Sequence, residues 1–153
     1  MTQSAMPQQR LYIEAVREGM EIPPLVKHPT QVALFRHSAV TWNAHRIHYD
    51  KEYAQAEGHT DVLVQGHLHG AYLVQMLMDW IGPFGVLKKF AWSNRRPGFA
   101  GDTLSCRGRV TRVYAEGGEH LADCEIWEEN QHGEICAPGT ATIALPSSGF
   151  RGT

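Results

Sequence analysis

The sequence predicts an α+β domain in which one long apolar helix is wrapped by an antiparallel sheet. Three observations carry that reading. Residues 67–80 are apolar on nearly every face, so a helix there must be covered on more than one side. Residues 86–94, 102–114, 120–129 and 134–145 then read as extended runs, separated where they need to turn by Gly117-Gly118 and residues 130–133. The 153-residue length, with 42% hydrophobic and 20% charged residues, suits one globular domain that buries about 70% of its unfolded surface.

The elements follow in chain order. Residues 1–10 are polar and expected to be flexible, with the domain itself over 11–147 and a tail at 148–153. From Tyr12 to Thr41 the chain reads as extended, with a turn at Glu18-Gly19, a break at Pro23-Pro24 and a strand over 31–41. Val32, Leu34 and Phe35 alternate imperfectly in that strand. Residues 51–57 form a short helix stopped by Gly58, and Val62 to Val64 is a brief apolar run ending at Gln65-Gly66. The long helix follows and ends at Gly82-Pro83. Five or six strands are expected in all.

Composition removes several function classes. A formal charge of −2 gives no reason to expect nucleic acid or an anionic membrane surface as a partner. No apolar run approaches the roughly 20 residues that span a bilayer. The first ten residues lack the apolar core of a secretion signal. Cys106, Cys124 and Cys136 are an odd set without CxxC spacing, which points to reduced thiols in a cytoplasmic protein.

Chemistry concentrates in Thr41 to Asp50, TWNAHRIHYD. Two histidines, an arginine, an asparagine and an aspartate share ten residues. Within it runs Asn43-Ala44-His45-Arg46-Ile47-His48, with Ala54 a short helix later and Gly66, in LVQGHLHG, 18 residues beyond His48. Together with Phe99-Ala100-Gly101-Asp102-Thr103-Leu104, this resembles the MaoC-like hydratases and dehydratases of the hotdog fold. The resemblance covers about residues 18–145. NAHRIHYD is most similar to the type 2 hydroxyacyl-thioester dehydratase branch, which includes mesaconyl-C4-CoA hydratases. DWIGP at Asp79 to Pro83 is also similar to small actinobacterial steroid-side-chain hydratase subunits. One departure matters: Asn43 stands where the family carries a catalytic aspartate.

The resemblance implies reversible hydration of a 2-enoyl thioester, carried by coenzyme A or acyl carrier protein, with no cofactor. Such a reaction needs a base for water, a proton for the α-carbon and a donor for the enolate oxygen. His48 is the natural proton carrier. The Gly66 amide, at a helix N-terminus, is the natural donor. Asn43 can orient water but takes no proton, and Asp50 is the nearest carboxylate helper for His48 in sequence. His45, Tyr49, His67, His69, Trp92, Arg95 and Arg96 complete the candidate substrate site, the arginines as grips for phosphates.

Each assignment has a plainer counterpart. Asn43 can simply shape a turn, His45 and His48 can bond to backbone, Gly66 can be a strand-to-helix turn, His67 and His69 can be core or interface, and Tyr49 and Trp42 can be core. Arg95, Arg96, Arg107, Arg109 and Arg112 can be ordinary surface charges. A metal site is not expected, because His45-x-x-His48 and His67-x-His69 lack further ligands at zinc spacing. A hotdog thioesterase and a half-site subunit paired with a second chain are the competing functions. An open sheet edge predicts a homodimer or a dimer of dimers.

Overall fold

The computed structural model describes residues 10–149. Most of the stretch expected to be flexible at 1–10, and most of the tail at 148–153, therefore lies outside the described residues. Five strands form one antiparallel sheet: β1 (Glu21–Lys27), β2 (Val86–Trp92), β3 (Leu104–Glu116), β4 (Glu119–Glu129) and β5 (Ile135–Leu145). Their spatial order is β1-β3-β4-β5-β2. The β3–β4 hairpin closes where Glu116 pairs with Glu119. Between them Gly117 and Gly118 have φ of 59° and 81°, the left-handed conformation that a two-residue hairpin needs at both positions.

Three helices accompany the sheet: α1 (Gln31–Thr41), α2 (Lys51–Ala56) and α3 (Gly66–Ile81). Leu73, Met76, Leu77 and Ile81 of α3 pack into a core with Val110, Ala122, Cys124, Ile126, Ala141 and Ile143. Leu73 is fully buried, so truncating it to alanine costs about 2–5 kcal/mol. Along β4 the inward positions run Ala122, Cys124, Ile126 and Glu128, every second residue as a strand requires. The last of these is a fully buried acid. A smaller core of Leu34, Val62, Val64, Leu68, Leu104 and Cys136 seats α1 and the N-terminal end of α3.

Two expectations are corrected. Residues 31–41 form a helix, not a strand. Thr30 caps it by accepting the Ala33 amide, and its buried pair, Leu34 and Ser38, has helical spacing, which is why strand alternation looked imperfect. Pro23-Pro24 does not break β1. The strand continues through the prolines with a shift of register between Ile22 and Leu25, and as an edge strand it tolerates the missing donors. Helix α3 is covered on more than one side by the sheet and the smaller core, with His67, Ala71, Gln75, Met78 and Asp79 left exposed. Helix 51–57, the stop at Gly82-Pro83 and the four downstream strands are found where expected, within two residues at each end.

Candidate active site

His48 closes a short 3-10 turn, Arg46–His48, which is stitched to the segment entering α3. The Leu63 amide donates to the Ile47 carbonyl at 3.0 Å, and the His48 Nδ1 lies 2.9 Å from the Leu63 carbonyl oxygen. A carbonyl oxygen only accepts, so Nδ1 carries the proton and the neutral ring has its lone pair on Nε2. The ring is buried, and burial lowers its pKa. The bond to Leu63 opposes that shift, while His45 and His37 add to it. A neutral imidazole with a free Nε2 lone pair is chemically a base.

Asn43 lies beyond a helix end rather than a strand end. Trp42 ends α1 in the left-handed conformation, φ 57°, and the Asn43 amide turns back to the Ser38 carbonyl at 2.9 Å. The Asn43 Oδ1 accepts the His45 amide at 3.2 Å, an Asx turn. The side chain also borders an apolar hollow of about 220 Å³ walled by Phe35, Ala39, Trp42, Ala44 and Tyr49. Asp50 does not assist His48: one oxygen holds the Arg46 guanidinium at 2.6 Å and the other caps α2 through the Tyr53 amide. Those bonds to Tyr53 and Arg46 hold its pKa below the usual carboxylate value.

The neighbouring candidates divide by contact. His45 is exposed, with its ring edge-on to His48 at 5.9 Å between centroids. Tyr49 donates its hydroxyl to the Ala44 carbonyl at 2.9 Å and packs edge-on against Phe35, so it closes the loop. His67 is exposed on the first turn of α3 and lowers the pKa of His37, after burial.

Gly66 opens α3. Gln65, the N-cap, gives no side-chain cap, although the Leu68 and His69 amides return to its carbonyl at 2.8 and 3.3 Å. Among the described residues none accepts from the Gly66 amide, which leaves a donor at the positive end of a 16-residue helix. Asn94 covers the Gly66 Cα: a Cβ there would lie 2.5 Å from its Nδ2. Trp92 packs its indole against Gly70, 2.7 Å from where a Cβ would stand. His69 turns inward and its Nδ1 is hydrogen-bonded to Glu128.

The arginines are surface charges with mixed roles. The Arg95 and Arg96 amides both donate to the Cys136 carbonyl, and Arg96 pairs with Glu134 at 3.4 Å. Arg107 and Arg109 are paired with Glu129 and Glu125 across the β3–β4 ladder, and Arg112 lies over the Tyr114 ring.

Sequence reasoning passed over Gln65, Asn94 and Glu128. Glu128 had a visible signal, an acid in the inward register of β4. Gln65 is 1% exposed and bonds to Leu34 and Ser38 of α1, a partner that the strand reading of 31–41 concealed. Nothing in the sequence marks Asn94.

The family model for hydroxyacyl-thioester dehydratase type 2 matches residues 8–100. Mesaconyl-C(4)-CoA hydratase of Chloroflexus aurantiacus is 42% identical over 64 residues, which cover 37% of this chain and 23% of that protein. The chain thus matches less than a quarter of that relative. The 3-oxo-4,17-pregnadiene-20-carboxyl-CoA hydratase beta subunit of Mycobacterium tuberculosis is 25% identical over 95 residues, 62% of this chain and 74% of that subunit. The unliganded R-hydratase PhaJ1 from Pseudomonas aeruginosa superposes with a TM-score of 0.82 at 19% identity, over 91% of this chain and 88% of that one. This likeness shows the hotdog fold.

Proposed function

The chain belongs to the hydroxyacyl-thioester dehydratase type 2 family, and from that premise we propose that it reversibly adds water to a 2-enoyl thioester. The observation that carries the proposal is the His48 bond to Leu63, three residues before the uncapped Gly66 amide. It leaves Nε2 of His48 basic and ties that ring to the segment that leads into the Gly66 amide. In hydration, Nε2 takes a proton from water as the oxygen bonds to the β-carbon. The π electrons move onto the thioester oxygen, where the Gly66 amide holds the charge. The imidazolium then gives its proton to the α-carbon and the carbonyl re-forms. Asn43, without a titratable group, orients water or substrate.

Coenzyme A or acyl carrier protein carries the acyl group. A homodimer, or a dimer of dimers, covers the sheet edge at β2, where Val86 and Trp92 are 53% and 37% exposed. Burial raises the thiols of Cys124 and Cys136 to about 12 and about 11, and all three cysteines are unpaired. That suits a reducing cytoplasm.

Incubation with crotonyl-CoA tests the reading. Loss of the enoyl-thioester absorbance without release of free thiol is the expected result. Thiol release would assign a thioesterase instead, and inertness toward a panel from short to steroid-sized acyl-CoAs would assign a half-site that needs a second chain.

A further inference from the structure

The first turn of α3 lacks a capping side chain, yet it is moored on two sides. Gln65 Nε2 ties it to α1, donating to the Leu34 carbonyl at 2.8 Å and bonding Ser38 Oγ at 2.9 Å. On the sheet side His69, three residues after Gly66, bonds to Glu128 of β4 through Nδ1. Both side chains are at most 3% exposed. The second Glu128 oxygen accepts from Cys106 Sγ of β3 at 3.8 Å. The His69 ring is seated by Gly98, whose Cβ, if present, would stand 3.0 Å from Cε1. Gly98 in turn accepts the Val64 amide at 2.8 Å, so Gly98 links the ring to the segment that carries Leu63 and Gly66.

Stability alone gives little reason for this pair. Well-packed apolar side chains usually replace a buried carboxylate–imidazole pair at no cost, or with a gain. Its location gives a better one, because a displacement of about 1 Å at a reacting group costs about a hundred-fold in rate. We propose that His69 and Glu128 are positioning residues that set the direction of the Gly66 amide, and through it kcat. The proposal rests on the reading of Gly66 as the oxyanion donor.

The test uses the full chain and the double variant His69→Leu/Glu128→Leu, which removes the pair and leaves no orphaned charge. It should fold with a melting temperature at or above the parent's. Its kcat for crotonyl-CoA should fall about tenfold or more, with KM within about twofold, and the Gly66 amide resonance should move. Parental kcat, or an unmoved Gly66 resonance, overturns the proposal.

Should the double variant fail to fold, His69→Asn and Glu128→Gln carry the test, since each keeps a hydrogen bond in place. Both are expected to hold kcat within about threefold of the parent. A loss of about tenfold in both shows that charge matters rather than position, and overturns it too. A parallel His48→Ala variant with parental kcat would sink the hydratase reading itself, while the Gly66 resonance still decides the positioning role.

Discussion

His48 Nδ1 and the Leu63 carbonyl oxygen stand 2.9 Å apart, and this contact decides which imidazole nitrogen can work. With Nδ1–H committed to a carbonyl, Nε2 is the base. His48→Ala is expected to lower kcat about a hundred-fold or more. His48→Asn keeps an N–H for Leu63 but has nothing in place of Nε2. It should therefore fold like the parent and be as inactive as the alanine variant. Activity of His48→Asn near the parental rate in the enoyl-CoA assay would remove His48 from the chemistry.

Burial also sets the pH response. The His48 pKa lies below its ordinary 6.5, so the base remains neutral into mildly acidic solution. The acid limb of kcat/KM should fall below pH 6.5. Stability follows the same group: as the pH drops below 6.5 the unfolded chain takes up a proton that the folded ring still refuses. Folding is therefore weakened from that point down to the folded pKa, and the loss levels off below it. His48→Asn should lose this component. Denaturant titrations of parent and variant on both sides of pH 6.5 measure it.

Gly66 allows a sharper experiment than its role as a turn would. A Cβ there meets the Asn94 side-chain tip at 2.5 Å, which is flexible and can yield, so Gly66→Val should fold. Its branched side chain then shields the amide from an incoming oxygen. Turnover should drop about a hundred- to a thousand-fold, as for loss of an oxyanion donor, with the circular dichroism unchanged. Full turnover in that variant would place the oxyanion donor elsewhere.

How much of this was legible depended on whether the signal was local. The strands after Gly82, the Gly117-Gly118 hairpin and the long helix declare themselves through period and turn chemistry. His48 and Gly66 stand out by motif, but their link through Leu63 is a tertiary bond between segments 15 residues apart. Helix α1 was misread because just two of its residues, Leu34 and Ser38, are buried, too few to print a 3.6-residue period. With α1 hidden, Gln65 had no visible partner. Glu128 was the opposite case: its inward register was readable, and only its partner on α3 was not.

Asn43→Asp asks what an acid does at the position where the resemblance of the motif leads one to expect it. The Asx turn should survive, since a carboxylate oxygen accepts the His45 amide at least as well as the amide oxygen does now at 3.2 Å. The new negative charge lies in a loop that also holds His45 and His48, and a nearby anion favours the protonated imidazole. The pKa of His48 should therefore rise and the acid limb of kcat/KM move to higher pH, while activity above that limb is retained. Asn43→Ala removes the turn bond without adding charge. It should cost about 1 kcal/mol of stability and less activity than His48→Ala, because His48 keeps its own anchor at Leu63. The measurement is kcat/KM against pH for parent, Asn43→Asp and Asn43→Ala. An acid limb that stays fixed in Asn43→Asp would show that residue 43 does not sense the imidazole, and would reduce Asn43 to its turn.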